Sequence, residues 1–141
     1  MKTAFICFFP VFPTTMGSAE VIRSLFLCWP GQKKLFQISH LNHKNKKKLY
    51  SMKIFKEKPI LKILCIPFLI YKTLKYLGKS GKRLIIIEGP SWIGYSFISL
   101  ILIKIFSPST KVMYHSHSIE FEVRKMTSSK LMAFFSKKLE N

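Results

Sequence analysis

The stretch KVMYHSHSIEFEVRK, residues 111–125, gathers the side chains best suited to chemistry: His115 and His117 at i, i+2, then Glu120 and Glu122 at the same spacing. On a strand, that spacing points both rings to one side. Three roles fit such a pair: half of a metal site, a strand-end group facing a ligand, or a core histidine satisfied by backbone. Zinc would need at least one further ligand, and His40, His43, the three isolated cysteines and the glutamates show no ligand spacing. We therefore expect no metal. A strand-end histidine in a ligand crevice can hydrogen-bond a sugar or phosphate, or titrate near neutrality. Two other places carry comparable chemistry. Gly17-Ser18 precedes an apolar helical pattern, and free amides with the dipole at a helix N-terminus suit phosphate; the plain alternative is a helix cap. Glu88 closes an apolar run just before Gly89-Pro90, where it meets substrate hydroxyls or accepts backbone N–H groups.

Composition narrows the classes. The chain has 141 residues, enough for one domain with one core. All six acidic residues are glutamates, so no Asp-based metal motif, Walker-B acid or Asp nucleophile exists in this sequence. The formal charge of +18 draws the chain to anions: nucleic acid, anionic lipid or phosphorylated small molecules. The charge is uneven, with nine basic residues in 31–60 against Lys2 and Arg23 in 1–30, and residues 42–58 read as a basic loop. Cys7, Cys28 and Cys65 are widely spaced within apolar runs, which predicts buried free thiols in a reducing cytoplasm. The opening residues have the look of a short signal peptide, but Pro10 and Pro13 interrupt the apolar run and a first strand over Thr3–Phe9 is expected instead. Neither 60–71 nor 91–103 has the length and continuity of a spanning helix.

The elements that must position these side chains alternate. TAFICFF reads as a buried strand. Ile22, Leu25, Phe26 and Trp29 then recur on one helical face, with Ser18 as cap and Glu20 in the first turn. KLFQIS (34–39) and MKIF (52–55) read as strands, and residues 60–77 as a helix with Lys62, Lys72 and Lys75 on its polar side. RLIIIEG (83–89) is the clearest buried strand; a helix over 92–106, apolar almost all round and so expected to be well buried, leads to the strand KVMYHS. A final helix is expected from Glu120 to Leu139. Strands alternating with helices predict an α/β fold: one Rossmann-like parallel sheet with helices on both faces. Ligands of such sheets bind outside the carboxyl ends of the strands, which selects the loops at 10–18, 88–91 and 115–122. The G-x-G-x-x-G fingerprint is absent, which counts against a nicotinamide or flavin cofactor, and no cofactor is expected.

Three motifs in order, FPTTMGSAEVI, IIIEGPSWIGY and VMYHSHSIEFEVRK, resemble the N-terminal domain of family-4 retaining GT-B glycosyltransferases. Ser18 stands where that group usually has the second glycine of its GGAE turn, and Ser118 replaces the asparagine of HSHNxEYEVRK. The resemblance covers nearly the whole chain, as one N-terminal-type domain over residues 1–141. It implies a hexosyltransferase of cell-surface polysaccharide synthesis, with a nucleotide-sugar donor and an acceptor glycan or lipid-linked sugar. It assigns His117 to catalysis at the transferred sugar and Gly17 and Ser18 to phosphate or acceptor; Glu88 and Glu120 are taken with them as substrate-binding candidates. The family's E-x7-E motif lies in a second domain, and no two glutamates here stand eight residues apart. The resemblance thus implies a fragment, inactive alone, with most donor contacts in a missing C-terminal half, continuing or separately encoded. The expected location is cytoplasmic, peripheral at the inner face of the membrane, with an anionic membrane surface as a further partner. The alternatives are a non-catalytic basic membrane-surface protein and a nucleic-acid-binding protein.

Overall fold

A computed structural model describes residues 1–14, 17–41, 47–79, 81–89 and 93–116. Five strands, β1 (Lys2–Cys7), β2 (Gln32–Ser39), β3 (Leu49–Lys53), β4 (Arg83–Glu88) and β5 (Lys111–His115), form one sheet in the order β3-β2-β1-β4-β5. Every pairing is parallel. The chain builds outward from β1 to β3, then crosses back to start β4 on the other side of β1. The strand order therefore reverses between β1 and β4, the place in such sheets where ligands bind at the carboxyl edge.

Helix α1 (Gly17–Cys28) covers one face, turning Ala19, Ile22 and Phe26 onto Phe5, Leu35 and Ile86. Phe5 meets Phe26 and Trp29 edge-on, with centroids 5.4 and 5.6 Å apart. The Lys33 ammonium donates to the carbonyls of Leu27 and Trp29, both at 2.6 Å, placing a cation where the helix dipole is negative. Helices α2 (Pro59–Leu77) and α3 (Ile93–Phe106) cover the other face, where Ile66, Leu69, Ile70, Leu77 and Ile103 pack with Ala4, Ile6, Phe36, Ile38, Ile85 and Ile87. Adjacent strand residues thus serve opposite layers, the consequence of the period-2 pleat in a sheet covered on both sides.

Several expectations shift. The helix begins at Gly17, so Ser18 already lies in its first turn rather than at the cap. The third strand is Leu49–Lys53, inside the expected basic loop, because its register runs from Leu35↔Leu49 to Ser39↔Lys53; Phe55, expected within it, is 94% exposed. Helix α3 is not buried all round: Ile101, Ile105 and Phe106 are exposed, since a helix in an outer layer meets the sheet on one side only. The outward side of α2 carries an apolar stripe that was not expected, Ile60, Leu64, Phe68 and Tyr71, beside the expected Lys75, which is exposed as well. Of the cysteines only Cys7 is buried; Cys28 is exposed and Cys65 half-buried. Among the described residues, no helix is long and apolar enough to cross a membrane. The expected helix from Glu120 lies outside the described residues.

Candidate functional site

Toward its carboxyl edge the sheet sets Ser51, Gln37, Cys7, Glu88 and His115 in one row across all five strands. Register pairs Ser51 with Gln37 and Gln37 with Cys7. The pairing of Ile6 with Ile87 then brings Cys7 beside Glu88, and Glu88 pairs with His115. The row lies on the α1 face, because Leu35, Phe5 and Ile86, two positions earlier on their strands, pack in that layer. Parallel pairing at this register is what joins these residues, far apart in sequence.

At one end of the row, Glu88 is fully buried and its Oε2 lies 2.7 Å from His115 Nδ1. An ionised carboxylate only accepts, so beside one Nδ1 would carry the hydrogen, and in the neutral ring Nε2 would then hold the lone pair. The imidazole is one-third exposed, with side-chain accessibility of 33%, so the pair combines a buried carboxylate with a ring that reaches solvent. A histidine held this way can take the proton of a hydroxyl or bind a sugar hydroxyl. Cys7, next in the row, is inert: burial first, then the Glu88 charge, pushes its thiol well above the usual range.

At the other end, Gln37 holds the loop that carries the chain from β1 to α1. Its Oε1 accepts from the N–H groups of Val11 at 2.9 Å and Phe12 at 3.2 Å. Its Nε2 donates to the Phe12 carbonyl at 2.9 Å and to Ser51 Oγ at 3.2 Å. Sequence reasoning passed over Gln37; the signal was a lone amide inside the apolar run of KLFQIS.

Gly89 lets β4 and β5 close at this edge. A Cβ there would stand 2.6 Å from Tyr114 Cζ and 3.0 Å from the His115 carbonyl oxygen, and closer still to Tyr114 Oη. The Gly89 N–H instead donates to that same carbonyl at 2.9 Å. Gly17 opens α1 with nothing within 4 Å of where a Cβ would stand, so its surroundings are open rather than crowded. The parallel topology puts α1's first turn at the same edge as Glu88 and His115. His117 and Glu120 lie outside the described residues. A groove of about 520 Å³ lies beside α1, lined by Phe12, Pro13, Arg23, Phe26, Lys48 and Leu49 among others, and the row does not line it. Among the described residues no group of three or more His, Cys, Asp or Glu side chains is placed to hold a metal ion.

Comparison of the chain with protein-family models, with curated proteins and with solved structures finds no match.

Proposed function

We propose that this chain is the acceptor-side domain of a glycosyltransferase, which moves a sugar from a nucleotide-sugar donor to an acceptor hydroxyl. The observation that carries the proposal is the Glu88–His115 contact at the carboxyl edge of a parallel sheet, beside the point where strand order reverses. A sugar hydroxyl can donate to the Nε2 side of an imidazole whose Nδ1 is held by a buried carboxylate, which is the contact this edge of the sheet suits. The first turn of α1 supplies free amides at the same edge for phosphate or a further hydroxyl. Catalysis in this reading is mostly positioning and charge stabilisation at the leaving diphosphate. The resemblance of three motifs to those of family-4 glycosyltransferases supports it and adds His117 and Glu120 to the substrate contacts. The E-x7-E motif is absent from these residues, so the reading takes most donor contacts from a second domain, encoded onward or separately. The domain would act in the cytoplasm, peripheral at the inner membrane face, on a glycan or a lipid-linked sugar.

Ligand-observed NMR on purified residues 1–141 tests the reading. Glycan acceptors should bind weakly, His115→Ala and His117→Ala should each weaken that binding, and no sugar transfer should occur from nucleotide-sugar donors. Turnover by residues 1–141 alone would refute the two-domain reading. Glycan binding indifferent to both histidines would refute the site.

A further inference from the structure

Helix α2 is apolar on two opposite sides. One side packs on the sheet through Ile66, Leu69, Ile70 and Leu77. The other presents Ile60, Leu64, Phe68 and Tyr71 at i, i+4, i+8 and i+11, one continuous stripe, with Leu64 70% exposed. Beside it on the same face of the sheet, α3 presents Ile101 and Ile105, the latter 66% exposed. A surface of this composition marks an interaction site.

Charge decides between occupants. The only ionisable side chains on α2 with full charge are Lys62, Lys72 and Lys75, and α3 adds Lys104; neither helix contains an acid. Glu57, just before α2, is engaged by Lys62 at 3.4 Å and His40 at 3.2 Å. A second copy of this face would set lysine against lysine with no carboxylate between them. Lys72 lies with its ammonium 5.0 Å from the Phe68 ring centroid, so its stem follows the apolar stripe while its charge stands at the rim. Apolar and aromatic side chains flanked by lysines, without acids, match the boundary between acyl chains and anionic headgroups. Both helices remain packed on the sheet, so such a face suits lying on a bilayer rather than crossing it.

We propose that the outward face of α2 and α3 is the docking surface of this chain for an anionic membrane. The proposal deepens the peripheral-membrane part of the function above, but vesicle binding needs no sugar transfer, so the two readings can fail separately. Co-sedimentation of the whole chain with vesicles tests it. Vesicles containing phosphatidylglycerol should bind at least about tenfold more tightly than pure phosphatidylcholine, and salt should weaken the binding. Leu64→Glu with Phe68→Glu should lower affinity roughly tenfold or more, and Ile105→Glu should lower it independently. Lys72→Gln and Lys75→Gln should each cost about fivefold. Val21→Glu, an exposed apolar position on α1 across the sheet, should leave binding unchanged. All these side chains are exposed or half-buried, and circular dichroism checks that each variant folds. Absence of vesicle binding overturns the proposal, as does binding untouched by the α2 and α3 variants. A dimer in sedimentation velocity that Leu64→Glu dissolves also overturns it, since a second copy would then cover the face.

Discussion

Replacing Gln37 by Met should loosen the β1–α1 loop without emptying the core. Met has nearly the same length and volume, so the transfer and cavity terms stay small. What disappears is hydrogen bonding to Val11 N–H, Phe12 N–H, the Phe12 carbonyl and Ser51 Oγ. Val11 is fully buried, so water cannot replace its partner and that loss costs about 1–3 kcal/mol. Phe12 is half-buried, and its groups regain water, leaving a net loss of about 0.5–1.5 kcal/mol for each bond. Together these losses come to about 2–6 kcal/mol. At a urea dependence of about 2 kcal/mol per molar, the unfolding midpoint should fall by about 1–3 M. Hydrogen exchange supplies the local readout: the Val11 amide should lose protection beyond the global loss of stability, while Ile86 in the centre of β4 should not. A midpoint shift worth less than about 0.5 kcal/mol, or a Val11 amide as protected as before, would refute the account of Gln37 as the residue that holds this loop.

Gly89→Ala should destabilise the domain by about 1–3 kcal/mol, because the new methyl meets the Tyr114 ring and the His115 carbonyl, whereas Gly17→Ala, projecting into open space, should change stability by less than about 1 kcal/mol; chemical denaturation compares them directly. A thiol reagent at mildly alkaline pH should modify Cys28 quickly, Cys65 slowly, and Cys7 only after unfolding; rapid native modification at all three positions would contradict the burial pattern. The thiols of Cys7 and Cys65 and the phenols of Tyr50, Tyr76 and Tyr95 are all raised by burial, so the folded state keeps protons that the unfolded state releases. Their stabilising effect is full below the ordinary thiol value of 9.0 and fades as pH rises through the folded values, so melting temperature should fall above about pH 9, and Cys7→Ala should lessen the fall.

Local pattern was enough to foresee the order of elements in this protein. The continuous apolar run of RLIII, the helical spacing of Ile22 and Phe26, and the glycine after Leu77 each depend on neighbours within one turn or one strand. The parallel sheet followed from that alternation. Boundaries shifted where pairing overrode composition, as at β3, whose limits come from its register against β2. The candidate site was legible only in pieces. Glu88 and His115 both stood out as polar groups ending apolar strands, and the strand alternation put their loops at one edge, but the direct contact of residues 27 positions apart exists only because β4 and β5 are neighbours in one register. Gln37 went unrecognised because its task is to bind backbone of a loop 25 and 26 positions away, a contact that exists only after β1 and β2 have paired. The exposed side of α2 was misread for a related reason. Both sides of that helix are apolar, so periodicity cannot say which one the sheet will cover. Packing made the choice, burying Ile66 and Ile70 and leaving Leu64 and Phe68 to solvent.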